Sequence, residues 1–96
     1  MKEGKVKKID ELVEEVLKQM GVYRQYKEQE IREIWPEVVG KMIASRTGKI
    51  EMVDGKLFVS FTSAVVKNEM LMVKEGLVQA LNDRIGEHIV RDIIIQ

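Results

Sequence analysis

Apolar residues at Ile9, Leu12, Val13, Val16, Leu17 and Met20 recur with the i, i+3, i+4, i+7 spacing of one helical face. Asp10 and Glu11 fall in the first turn of that helix, where the positive end of the backbone dipole favours carboxylates. Gly21 follows the last apolar residue, where a helix-ending cap is expected. A second stripe, Ile31, Ile34, Trp35, Val38, Val39, Met42 and Ile43, keeps its phase across Pro36. A proline within a helix removes a backbone donor and crowds the preceding turn. The preserved phase therefore predicts one helix kinked at Pro36, or two segments with Pro36 near the start of the second, where its missing N–H goes unused. Trp35 is the expected joint, because the residue before a proline is pushed from helical angles. Its ring is expected to plug the core, while Gly40 lets the second segment lie close to its neighbour. Arg46-Thr47-Gly48 reads as the stop.

Past Gly48 the period changes from helical to alternating. Ile50 and Met52 share one face with Leu57, Val59 and Phe61, and Asp54-Gly55 between the two runs is the preferred chemistry of a two-residue hairpin turn. Ser63 is a plausible cap for a long third helix, with a stripe at Val66, Met70, Val73, Leu77, Leu81 and Ile85 and a stop at Gly86. Leu71, Met72 and Val78 fall off the stripe, which predicts contacts with more than one neighbour. Gly76 in the middle suggests close backbone packing. The β-branched run from Val90 to Gln96 reads as a last strand. The order helix, helix, strand, strand, helix, strand predicts an α+β fold: a two-layer domain with a three-stranded sheet and its helices on one face. A strand–helix–strand ending requires a crossover.

Composition adds limits. At 96 residues the chain fits one domain, residues 1–96, with a flexible basic tail expected over residues 1–8. Sixteen basic and sixteen acidic residues cancel, so net charge selects no partner, and a nucleic-acid surface would need local segregation of charge. No apolar run approaches the roughly 18 to 20 residues of a membrane span, and no signal peptide is expected. The absence of cysteine removes disulfides, thiol nucleophiles and thiolate metal sites, and fits a cytoplasmic protein.

Candidate chemistry is sparse. His88, the only histidine, reads as a solvated loop residue, and Ser45, Ser60 and Ser63 have no evident partner base. No spacing suggests a metal site or a cofactor, so an enzyme is not expected. Binding features are softer. Tyr23, Arg24, Tyr26 and Lys27 interleave aromatics with cations, as surfaces that stack unpaired bases do; the alternative is that the tyrosines cover the core and a helix junction. Lys41, Arg46 and Lys49 cluster where the second stripe meets the hairpin, either as a phosphate-binding corner or as a solvated rim. Val53, Phe58 and Ile94 point to the sheet face away from the helices, which should otherwise read polar. They form a patch suited to a protein partner or a second copy of the chain, or ordinary cross-strand pairs.

The segments IWPEVVGKMIASRT and VDGKLFVSFTSAVVKNEMLMVKEGLVQALNDRIG, followed by a short terminal strand, resemble the DciA family. The residues carrying the resemblance are Trp35, Val39-Gly40, Asp54-Gly55-Lys56-Leu57, Ser63, Glu69-Met70, Lys74, Leu81-Asn82 and Gly86. It implies a fold similar to the KH nucleic-acid-binding domain and a role as loader or stimulating partner of the bacterial replicative helicase. It also implies affinity for single-stranded or double-stranded DNA, with RNA left open. KH domains clamp nucleic acid with a Gly-x-x-Gly loop, and no two glycines of this chain have that spacing.

Overall fold

Two long helices lead the chain in the computed structural model, which describes residues 2–96, with side chains from Glu11 onward. The first, α1 (Lys2–Gln19), ends in a paired cap: Val22 N–H reaches Leu17 O at 3.1 Å and Gly21 N–H reaches Lys18 O at 3.0 Å. The side chains of the expected basic tail, residues 1–8, lie outside the described residues. The second, α2 (Tyr23–Val39), runs through Pro36 without interruption. The stripe is split, but at Gly40, four residues beyond the proline, and a short α3 (Lys41–Ser45) follows. Pro36 sits in the last turn and is exposed, so its missing donor costs α2 one hydrogen bond, that to the Arg32 carbonyl. Gly40 has φ 88° and ψ 161°, backbone that residues with a Cβ adopt only under strain. Open space surrounds its α-carbon, so Gly40 supplies the bend and not the expected close packing.

The hairpin forms as the alternation predicts. Strand β1 (Thr47–Val53) pairs antiparallel with β2 (Lys56–Phe61), and Asp54 (φ 52°) and Gly55 (φ 79°) both take the positive φ that a tight hairpin turn needs. The third predicted helix is two: α4 (Ala64–Met72), capped by Ser63 Oγ accepting from Val66 N–H, and α5 (Lys74–Ile85). Val73 between them has φ −111° and ψ 15° and is 53% exposed rather than part of the core stripe. Its N–H drops back to Met70 O, a tighter i−3 bond that turns the chain while Met70 and Leu77 stay buried on either side. Space around Gly76 is open too, so no backbone packs against it. The last strand, β3 (Asp92–Ile95), lies parallel to β2, giving a mixed sheet in the order β1-β2-β3.

One face of the sheet is covered by α2, α4 and α5. Ile31 and Trp35 of α2, Val66 and Met70 of α4, and Leu77 and Leu81 of α5 close over Ile50, Met52, Leu57, Val59 and Ile93 in a single core. Trp35 is 2% exposed, and its indole N–H donates to Thr47 Oγ1 at 2.9 Å, whose own hydroxyl donates to Ile43 O at 2.8 Å. One buried ring thus joins α2, α3 and β1 with its polar atom satisfied. Buried Asn82 clamps the entry to β3 in the same manner: its amide donates to Val90 O at 2.8 Å and accepts from Val90 N–H at 2.9 Å. The architecture is the expected two-layer α+β arrangement, consistent with a KH-like fold, with five helices where three were expected.

Candidate nucleic-acid interface

Strand β1 is an edge strand, and the backbone groups of Ile50 and Met52 point away from β2. An unpaired edge of this kind invites pairing with another chain. Here α2 closes it with side chains. The buried Glu28 carboxylate accepts from Met52 N–H at 2.8 Å, Arg24 donates to Met52 O at 3.3 Å, and Arg32 donates to Ile50 O at 2.8 Å. Both guanidinium groups also meet Glu28, at 3.0 and 3.5 Å. Arg24, Glu28 and Arg32 are spaced i, i+4, i+8, a pattern that on sequence grounds reads as ordinary ion pairs along a solvated helix. Only the fold turns that row into a cover for a strand edge. Arg24, a candidate cation from the sequence, is therefore part of the α2–β1 seam.

Its neighbours are equally engaged. Lys27 is 4% exposed and lies among three carboxylates, Glu30 at 3.3 Å, Glu87 at 3.5 Å and Glu14 at 3.7 Å. Burial pulls its ammonium down, but the charges of Glu30 and Glu87 outweigh this and hold it above the usual lysine value. The faces of Tyr23 and Tyr26 both lie 5.6 Å from the Lys27 nitrogen, and Lys18 of α1 covers Tyr23 at 4.9 Å. Burial pushes the Tyr23 phenol above its ordinary range. Tyr23 is half-buried and Tyr26 is 45% exposed, so of this group only the Tyr26 ring lies substantially open. A cleft of about 340 Å³ separates Tyr23 and Arg24 from the hairpin turn at Asp54 and Gly55.

Lys41, Arg46 and Lys49 present the opposite picture. Lys41 opens α3, Arg46 closes it, and Lys49 lies two residues into β1, where the register shifts between Thr47 and Ile50. All three are exposed, and among the described residues none is paired with a carboxylate. The backbone around them is fixed: Thr62 N–H donates to Arg46 O at 2.8 Å and Lys49 N–H to Ser60 Oγ at 2.7 Å. The two candidate groups do not converge. Arg24 joins β1 at Met52, while the cation corner lies at the other end of the strand by Thr47, about 16 Å away at ~3.3 Å per residue.

On the open sheet face Phe58 stands opposite Ile94 in the β2–β3 register and opposite Glu51 in the β1–β2 register. Phe58 and Ile94 are half-buried and Val53 is 44% exposed. An apolar groove of about 300 Å³ runs on the helical side, between Val38 and Val39 of α2 and the α4–α5 joint at Val73 and Gly76. His88 is exposed in the loop before β3. Among the described residues no group of three or more metal-ligating side chains converges, and no helix is long and apolar enough to cross a membrane.

Comparison with curated proteins and with solved structures finds no match. A family profile described as "Dna[CI] antecedent, DciA" matches residues 8–95. That span takes in α2, the hairpin, α4, α5 and β3, with the Trp35 plug, the Asp54-Gly55 turn and the Asn82 clamp that hold them together. The chain belongs to the DciA family.

Proposed function

We propose that this chain is a non-enzymatic accessory of the bacterial replicative helicase, working in the cytoplasm, that holds DNA through Lys41, Arg46 and Lys49. Membership of a helicase-loader and accessory family, not known for catalysis, supports the helicase half of this reading. The observation carrying the DNA half is the set of unpaired cations at the α3–β1 corner. Arg24, Lys27, Arg32, Lys74 and Arg84 each meet a carboxylate, whereas these three, like Lys56 and Lys67, do not, and they are set apart by lying together at one corner where the backbone of Arg46 and Lys49 is braced. Such cations gain affinity by displacing counterions from phosphates. The rings and cations at Tyr23, Arg24, Tyr26 and Lys27 serve mainly to hold α1, α2 and β1 together, with Tyr26 the ring placed to stack on a base.

Fluorescence-anisotropy titration of single-stranded DNA at several salt concentrations, with and without the cognate helicase, tests the reading. The Arg46→Ala/Lys49→Ala variant should bind more weakly and flatten the log–log salt slope by about 1.4, for two contacts at ~0.7 each. Unchanged affinity and slope would clear these residues, and failure of the parent to bind DNA or helicase would remove the proposal. Duplex DNA and RNA in the same titration decide the preferred nucleic acid.

A second reading, a protein-interaction module without nucleic-acid binding, draws on the registered Phe58–Ile94 pair beside exposed Val53. Phe58→Asp should then abolish partner binding with the fold intact.

A further inference from the structure

Lys56, Phe58 and Ser60 alternate with buried Leu57 and Val59 along β2, the central strand, so they share the sheet face turned from the helices. Between the pairs Ile50↔Val59 and Thr47↔Phe61 the register leaves Gly48 and Lys49 together against Ser60, and Ser60 Oγ accepts from Lys49 N–H at 2.7 Å. One step further, Thr62 N–H and Oγ1 both donate to Arg46 O, at 2.8 and 3.2 Å. Exposed cations therefore fall at the start of β2, beside Ser60 and beside Thr62, with the half-buried Phe58 ring between the first two. From Lys56 to Thr62 the row covers about 20 Å, at ~3.3 Å per residue.

We infer that this row is a track for single-stranded DNA, in which Phe58 stacks on an unpaired base while Lys56 and Lys49 hold phosphates on either side of it. The inference rests on the reading of the α3–β1 corner as a DNA site and extends that site along the sheet. Lys56 meets no carboxylate within ion-pair distance among the described residues. Asp92, its partner in the β2–β3 register, is taken by Lys74 at 3.2 Å and by Ile93 N–H at 2.8 Å, which leaves the Lys56 charge to a ligand. Glu51 stands opposite Phe58 on one side and Ile94 on the other. An exposed carboxylate and an aliphatic side chain beside the ring turn phosphates away, so the ring meets the base and the backbone charge falls to the two lysines. Rings set among cations in this way hold single strands whatever their sequence, because every base has a flat face. A duplex keeps its bases inside the stack and offers the ring nothing. An apolar partner covering Phe58 and Ile94 would bury Lys56 and Lys49 without neutralising them, a cost that a polyanion reverses.

Anisotropy titration of the full chain against labelled oligothymidylate of about 12 nucleotides, within the ~4–16 of small single-strand sites, and against a duplex of equal length tests it. Phe58→Leu keeps an apolar side chain and removes the ring. It should weaken single-strand binding by about fivefold or more, with duplex binding and the salt slope unchanged. Lys56→Ala should flatten the single-strand salt slope by about 0.7, the loss of one phosphate contact. Phe58→Trp places a reporter on the track, and bound oligothymidylate should quench its emission to saturation. Trp35 is 2% exposed, so the parent's emission should hardly change. A parent that binds no DNA removes this inference together with the corner reading. If Arg46→Ala/Lys49→Ala weakens binding while Phe58→Leu and Lys56→Ala bind as the parent does, this inference alone falls. Emission from Phe58→Trp unmoved by bound strand would also overturn it. So would a Phe58→Leu chain that binds DNA normally beside a Phe58→Asp chain that loses the helicase, since the face would then belong to a protein.

Discussion

Helices α1 and α2 carry the same kind of sequence pattern and meet opposite fates. In α2 the stripe ends up inside, with Ile31 at 0% and Trp35 at 2% exposure, while in α1 Leu12 and Met20 remain about two-thirds exposed at 64% and 67%. The polar sides differ as well. Those of α2 reach β1 through Arg24, Glu28 and Arg32, whereas α1 meets the body through Glu14 and Lys18. Periodicity establishes that a helix has an apolar face, but the partner for that face is a property of topology. With α2, α4 and α5 filling the covered side of the three-stranded sheet, α1 lies against α2 instead of on the sheet.

The sharpest way to break the comparison is to truncate one stripe residue in each helix. Trp35→Ala removes a buried ring and strands Thr47, and should destabilise the domain by about 3–5 kcal/mol. Leu12→Ala should change monomer stability by less than about 0.5 kcal/mol. Urea denaturation of both at low concentration checks this, and a Leu12→Ala loss comparable to that of Trp35→Ala would mean that α1 is part of the core.

A smaller effect probes the polar side of α2. Glu28→Ala leaves Met52 N–H without its acceptor and two guanidinium groups without their shared carboxylate. A loss of about 1.5–3 kcal/mol is expected for hydrogen bonds to a charged group. Faster amide exchange should appear at Met52, and an unaltered rate there would show that the strand edge does not depend on α2.

The smallest effect concerns the polar anchor of α1. A hydrogen bond with Glu87, then burial, hold the Glu14 carboxyl above its ordinary value of 4.5. A carboxyl whose pKa rises on folding binds more protons folded than unfolded between the two values, so stability falls as pH rises from 4.5 through the raised value. Thermal melts across that window should show a modest decline, and Glu14→Gln should remove part of it. Lys27 contributes at the other extreme: with its pKa raised from 10.5, its stabilisation is full below that value and is lost as pH rises through the raised one.

Much of the frame was legible because it depends on local chemistry. Asp54-Gly55 sets the turn through positive φ at both residues, Ser63 caps α4, and alternation assigns Ile50, Met52, Leu57 and Val59 to the core face. Expectations that required comparing two local costs were displaced by a few residues. Pro36 looked like the joint, yet a proline in an exposed last turn forfeits one hydrogen bond, and glycine at 40 offered the easier bend. Val73 fitted the third stripe, yet the chain turns there because Met70 and Leu77 keep their places on the sheet without it. Of the candidate cations, Arg24 and Lys27 have Glu28 and Glu30 one helical turn away in the sequence and Arg46 and Lys49 have no such neighbour; what only folding adds is Glu14 and Glu87 around Lys27 and the Met52 edge beside Arg24.

The sequence by itself determined the helical stripes, though not where they break at Gly40 and Val73, together with the hairpin, the faces of the strands and the family, since each follows from the period of apolar residues or from residue types with one preferred backbone. Tertiary structure alone decided that β3 lies parallel beside β2, that Glu28 seals the edge of β1, that Lys27 is enclosed by carboxylates, and that the stripe of α1 stays open. The reason is range: period and propensity act over a few residues, whereas burial and ion pairing are set by side chains that only the packed sheet and helices bring within a few ångströms.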